Sequence, residues 1–148
     1  MPDRETLERA EEDAREGKSP STQAGEFVRE EIHHIREGKH GARSPQQAIA
    51  IGLSEARRAG VKLSPPKGPA AVRKKAAQDV AAGQKAKGSL HKVSAKRSRA
   101  SEAALKRESR SAASHEALSR QAKKSAVKRG KQARRQAAMK AARTRKAA

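Results

Sequence analysis

Large apolar side chains are too scarce in this chain to fill an ordinary core. Leucine, isoleucine, valine and phenylalanine supply 17 of the 148 residues, while alanine alone supplies 31. Apolar burial drives folding, and a strongly charged chain holding less than roughly 20% of those four residues is expected to stay at least partly disordered. A compact enzyme domain is therefore not expected. The sequence shows no nucleophile–base pair, no glycine-rich phosphate loop and no paired-carboxylate setting, so no catalytic residue is singled out. The lack of cysteine excludes disulfides, thiol nucleophiles and cysteine-bearing zinc modules, and is compatible with a reducing cytoplasm. No apolar run approaches the ~18 residues of a transmembrane helix, and the first residues, Met1-Pro2-Asp3-Arg4-Glu5, are acidic where a signal or transit peptide would be basic. A cytoplasmic protein with no membrane partner is the expectation.

The charge divides the chain. Residues 1–60 hold 10 Lys/Arg and 12 Asp/Glu, whereas residues 61–148 hold 26 Lys/Arg against Asp79, Glu102, Glu108 and Glu116. A net charge of +20 calls for a polyanion, and nucleic acid is the default. The composition changes at Leu63-Ser64-Pro65-Pro66-Lys67-Gly68-Pro69, where the prolines forbid helix continuation. Three regions follow: an acidic helical lead over 1–20, a helical hairpin domain over 21–63, and a basic Ala/Lys/Arg-rich tail over 64–148.

In the lead, Leu7, Ala10 and Ala14 recur at helical spacing among seven acids and three arginines, which predicts a loosely attached helix. After Ser19-Pro20, Thr22 can cap a helix running to about Glu37, with Ala24, Phe27, Val28, Ile32 and Ile35 as its apolar stripe. Gly38 and Gly41 bracket a basic turn. Ser44, Pro45 and Gln47 then form the signature of a capped helix start, and Arg57, Arg58 and Gly60 that of its end, giving a helix over about 45–59. Its face of Ile49, Gly52, Leu53 and Ala56, with Ala48 and Ile51 beside it, allows close approach of the preceding helix. The expected fold is all-α: a short helical hairpin, a flanking N-terminal helix and a long basic tail that is partly disordered or helical. Nine large apolar residues between Phe27 and Leu63 are few for a domain of ~40 residues. A homodimer through Phe27, Val28, Ile32, Ile35, Ile49 and Leu53 is the simplest way to cover them.

The tail is built from helix formers, with glycines at 68, 83, 88 and 130 as punctuation. Segments 70–82 and 100–129 can be helical, opposed by like-charge repulsion until a polyanion neutralises them.

The stretches Lys18-Ser19-Pro20-Ser21-Thr22-Gln23-Ala24-Gly25-Glu26-Phe27-Val28 and Gly38-Lys39-His40-Gly41-Ala42-Arg43-Ser44-Pro45-Gln46-Gln47-Ala48-Ile49-Ala50-Ile51-Gly52-Leu53-Ser54 resemble a family of small, basic proteobacterial proteins of uncharacterised function. Ala113-Ser114-His115-Glu116-Ala117-Leu118-Ser119-Arg120-Gln121-Ala122 is similar to the downstream part of its members. The resemblance implies a DNA-binding label but brings no established activity or site residues. The tail is also similar in composition to linker-histone tails and bacterial histone-like proteins.

Phosphate neutralisation by the tail is the leading functional expectation, shared among Arg73, Lys74, Lys75, Lys96, Arg97, Arg99, Lys123, Lys124, Lys128, Arg129, Arg134, Arg135, Arg143, Arg145 and Lys146. It implies non-specific DNA binding in the manner of nucleoid-associated proteins. RNA or ribosome association, and a protein-docking role for the 22–59 hairpin, are the alternatives. Ser64-Pro65-Pro66-Lys67 is similar to the Ser-Pro-basic turns of histone tails but reads better as a linker. A helix-turn-helix with Gln46 and Gln47 reading bases is disfavoured by a connection of about seven residues and by Glu55. Glu30/His33 and Glu31/His34 have the i, i+3 spacing of bundle metal sites, yet no further ligand is evident. They read as solvated polar-face residues, and no metal or cofactor is expected. The seven acids of residues 3–16 suggest a lead that folds back on the basic tail and competes with nucleic acid.

Overall fold

Capping chemistry sets the boundaries of the two central helices in the computed structural model, which describes residues 2–86 and 94–147. Among the described residues the regular elements are all helical: α1 Arg4–Arg15, α2 Pro20–Glu37, α3 Pro45–Arg58, α4 Ala70–Ala86, α5 Ala95–Lys106, a 3-10 turn Arg110–Ala113, and α6 His115–Ala147. The chain divides into two compact units, Met1–Ala113 and Ser114–Ala148.

Ser19, rather than Thr22, caps α2. Its hydroxyl accepts from the Thr22 amide at 3.3 Å, and Pro20 begins the helix, where its missing N–H is no loss. The helix ends at Gly38, whose φ of 81° permits the left-handed stop. Helix α3 begins as its sequence predicts: Ser44 Oγ accepts from the Gln47 amide at 3.3 Å, and the Gln47 side chain accepts in turn from the Arg43 amide at 2.8 Å.

Helices α2 and α3 form the central pair. They meet through small residues at i, i+4 and i+8 of α3, namely Ala48, Gly52 and Ala56, all buried. A β-carbon on Gly52 would stand 2.7 Å from the Val28 Cα, so the two backbones nearly touch. Around this junction lie two apolar clusters. One gathers Ala10, Ala24, Phe27 and Ala56, flanked by Leu7, Leu53, Val61 and Leu63. The other gathers Ile35, Ala42, Ala48, Ala112 and Ala113, flanked by Ile32.

This packing alters the sequence expectations in three respects. The lead is not loosely attached: α1 lies on α2, burying Thr6, Ala10 and Asp13 while Ala14 stays exposed. Charged side chains pair there, Arg9 Nε of α1 meeting Glu26 of α2 at 2.8 Å and Asp13 meeting Lys18 at 2.8 Å. Secondly, the stripe expected to join two copies is covered within one chain. Phe27 and Ile35 are 0% exposed, the first beneath α1 and the second beneath Ala112 and Ala113. Neither offers a dimer surface, and Val28, Ile32, Ile49 and Leu53 are already half-buried.

Thirdly, the chain beyond the prolines does not simply trail away. Helix α4 packs on α3. Further on, the Gly41 amide donates to the Leu105 carbonyl at 2.9 Å and the Ala42 amide to the Ser109 carbonyl at 3.0 Å. Gly41 is required there, because a β-carbon would collide with the Glu108 backbone carbonyl. The helix expected over 100–129 is interrupted by this docked segment, with α5 ending at Lys106 and α6 starting at His115. The tail, expected to be partly disordered or helical, is helical over α4, α5 and α6, as its Ala, Lys, Arg and Gln content favours. Gly130, with φ 79° and ψ 164°, divides α6 into two helical segments. Gly88 lies outside the described residues.

Two substitutions test this core. Phe27→Ala removes the largest buried side chain and is expected to lower the unfolding free energy by about 3–5 kcal/mol in urea denaturation followed by circular dichroism. Gly52→Ala, which adds only a methyl group, is expected to cost about 1–3 kcal/mol by forcing α2 and α3 apart. Stability unchanged in the Gly52 variant would show that the backbones do not approach this closely.

Candidate functional site

Two groups of charged residues stand out, one displayed at the surface and one enclosed. The displayed group is the basic tail. All fifteen cations expected to meet phosphates are exposed: Arg73, Lys74 and Lys75 on α4; Lys96, Arg97 and Arg99 on α5; and Lys123, Lys124, Lys128, Arg129, Arg134, Arg135, Arg143, Arg145 and Lys146 on α6. They are not equivalent. Lys75 pairs with Asp79, one turn along α4, and Asp79 also accepts from Ser54 Oγ at 2.7 Å and Arg58 Nε at 3.1 Å. Asp79 is only 3% exposed. Burial pushes its carboxyl pKa up, but the hydrogen bonds from Lys75, Ser54 and Arg58 outweigh that and hold it below the ordinary value of 3.8. Lys75 is thus part of the α3–α4 joint rather than a spare phosphate ligand.

Helix α6 has the opposite character. Arg120 can reach Glu116, at 3.4 Å, but from Ala117 to Ala148 the sequence contains no acid at all. Arg120, Lys124 and Lys128 follow one another at i, i+4 spacing, an arrangement that repels by a few tenths of a kcal/mol per pair until counter-charge arrives. The alanines interspersed among the cations, as at Gln136-Ala137-Ala138-Met139, favour the helix meanwhile.

The hairpin gives little support to base reading. Gln47 commits its side-chain oxygen to the Arg43 amide. Glu55 is half-buried near Glu30, and burial is the first cause that raises its pKa, reinforced by that neighbouring carboxylate.

The enclosed group corrects the expectation of solvated polar-face residues. Glu30 and Glu31 are 6% and 3% exposed. They occupy the buried face of α2 between Phe27 and Ile35, so the apolar stripe is interrupted by two acids at its centre. His34 joins them from the next turn, and His40 reaches in from the turn between α2 and α3. His40 Nε2 lies 3.5 Å from Glu31 Oε2, and His34 Nε2 lies 3.8 Å from Glu30 Oε1 and 3.3 Å from Asp3 Oδ2. The Asp3 amide donates to Glu30 Oε1 at 2.6 Å. Glu30 Oε2 and Glu31 Oε1 are buried without a hydrogen-bond partner. Burial is the first cause that pushes the Glu31 carboxyl up to about 7, opposed by His40 and reinforced by Glu55 and Glu30.

Of the two sequence pairs, Glu31/His34 stays together. His33 turns outward to Glu37, at 2.9 Å. The partners that sequence spacing does not reveal, His40 and Asp3, come from a loop and from the start of α1 rather than from a partner helix. One signal is present in the sequence: Phe27, Glu31 and Ile35 follow at i, i+4 and i+8, which places an acid on a face that both flanking residues require to be buried.

The Asp79 joint carries a pH prediction. Because its folded pKa lies below the unfolded value, its contribution to stability is complete above pH 3.8 and is lost as the pH falls through the lowered value. Asp79→Asn is expected to be less stable by about 1–3 kcal/mol at pH 7. The difference from the parent chain should narrow below about pH 4, as measured by urea denaturation across the pH range.

Residues 17–68 match a protein family described as a family of unknown function (DUF6496). The matched stretch spans α2, the turn, α3 and the proline segment, and so includes Glu30, Glu31, His34 and His40, while α1, α5 and α6 lie outside it. Neither the curated proteins nor the solved structures contain a match to this chain.

Proposed function

We propose that this protein binds DNA non-specifically, as a histone-like or nucleoid-associated protein does, with α6 as its principal phosphate-neutralising element. The observation that carries this reading is the acid-free run of α6: eleven exposed cations from Lys123 to Lys146 on a helical backbone, with no carboxylate side chain in the sequence after Glu116 to neutralise them. Cations so placed displace condensed counterions from the duplex, which gives affinity without reading sequence. Each helical segment of α6, rising ~1.5 Å per residue, is long enough to pass several phosphates. The exposed cations of α4 and α5, apart from Lys75, add to the attraction.

Duplex is favoured over unpaired RNA by one structural fact. Phe, Tyr and Trp rings are the usual platforms for unpaired bases, and the only such side chain, Phe27, is 0% exposed. No helix among the described residues is long and apolar enough to cross a membrane.

Fluorescence anisotropy of the full chain on random duplex DNA tests the proposal. The logarithm of the binding constant is expected to fall steeply and linearly with the logarithm of salt concentration. The combined substitution Lys123→Gln, Lys124→Gln, Lys128→Gln and Arg129→Gln should flatten that slope by about 3–4, near 0.9 for each phosphate that is no longer neutralised. An unaltered slope would remove α6 from the interface. Structured RNA competing better than duplex would favour the RNA-associated reading instead.

A further inference from the structure

The enclosed cluster on α2 has an excess of negative charge and too few donors. Asp3, Glu30, Glu31 and Glu55 supply four carboxyl groups around His34 and His40. If the cluster were a set of hydrogen-bonded ion pairs, the histidines would donate directly to the buried carboxylates at ~2.7–3.2 Å. The separations to the buried glutamates are longer, 3.5 Å for His40–Glu31 and 3.8 Å for His34–Glu30, while the closer contact, His34 Nε2 to Asp3 Oδ2 at 3.3 Å, goes to an exposed carboxylate. Both glutamates keep one buried oxygen with no partner at all. An orphaned buried carboxylate oxygen is costly, and that of Glu31, whose other oxygen meets His40 only at 3.5 Å, leaves this carboxylate short of donors from the protein itself.

We infer that Glu31, His34 and His40 form a binding site for a divalent transition-metal ion of the zinc class. One ligand atom from each lies within 4.8 Å of those of the other two. Two ligands ~2.0–2.1 Å from a tetrahedral zinc ion stand roughly 3.3–3.4 Å apart, close to the gap between His40 Nε2 and Glu31 Oε2. The histidine tautomer suits the role. His40 Nδ1 lies 3.2 Å from the Gly41 carbonyl, a bond that places the proton on Nδ1 and leaves Nε2 bare toward Glu31. Two imidazoles and one carboxylate select zinc and its neighbours over magnesium or calcium, which demand more oxygen ligands.

Such an ion would tie the turn carrying His40 to the middle of α2. That turn also holds the docked segment through Gly41 and Ala42. The site does not depend on the DNA-binding proposal, since none of its residues belongs to the basic tail.

The test is isothermal titration of the full chain with Zn²⁺ alone, together with thermal unfolding followed by circular dichroism. One equivalent is expected to bind and to raise the unfolding midpoint, while Mg²⁺ at the same concentration does neither. His40→Gln and Glu31→Gln should each weaken Zn²⁺ binding at least tenfold, whereas His33→Gln, outside the cluster, should leave it unchanged. Should a variant fail to fold, Co²⁺ added to the parent chain provides an independent readout, because imidazole and carboxylate ligands in a four-coordinate site give it intense visible d–d absorption. Absence of one-equivalent binding, an equal response to Mg²⁺, affinity unaffected in both cluster variants, or a six-coordinate Co²⁺ spectrum would each overturn the assignment.

Discussion

The near approach of the α2 and α3 backbones is the constraint on which the rest of this structure depends. With alanine as the main apolar residue, a core gains enough attraction only if the helices come very close, because dispersion falls away over fractions of an ångström. Ala48, Gly52 and Ala56 make that approach possible. Once the pair is closed, Phe27 and Ile35 can be buried completely, while Val28, Ile32, Ile49 and Leu53 are half-buried. Phe27 is covered on one side by α1, and Ile35 on the other by Ala112 and Ala113. The scarcity of large apolar residues is met within a single chain, by drawing in small residues from both directions along the sequence.

The same closure accounts for the enclosed acids. Glu30 and Glu31 lie on the face of α2 that must turn inward if Phe27 and Ile35 are to be buried. They cannot be moved to solvent without rotating the helix. The cluster they form with His34, His40 and Asp3 is therefore a consequence of the core register, and a polar centre persists inside an otherwise alanine-lined packing. Asp79 presents the contrasting outcome: an equally buried acid, but one that Ser54, Arg58 and Lys75 satisfy fully. The difference between a carboxylate with a complete set of donors and two without one distinguishes a structural joint from a candidate ligand site.

The charge on the molecule is organised in the same way. In the first helices cations have acids within reach, as Arg9 has Glu26 and Lys18 has Asp13. Toward the end of the chain the acids run out while the cations continue, so that α6 carries unneutralised charge on a regular backbone. Pairing in the first helices and the lack of acids after Glu116 give the two ends of the chain different chemistry without any change of secondary structure.

Much of this was legible in the sequence. The all-α class, the hairpin with its turn from Gly38, the Ser44-Pro45 start of α3, the stop at Gly60 and the basic character of the tail all follow from local rules: period, capping, backbone freedom at glycine, and charge counting. Those rules act over a few residues and need no knowledge of what lies across the core. The burial of Glu30 and Glu31, the approach of His40, the commitment of Lys75 to Asp79 and the use of Ala112 and Ala113 to cover Ile35 were not legible. Each depends on packing that forms only when α2 and α3 close. An alanine carries no local mark of being buried, and Glu31 carries only its register with Phe27 and Ile35. The sequence determined which helices form and where the charge lies; the tertiary structure decided which of those charges are enclosed, because only the packing of one helix against another assigns a side chain to core or solvent.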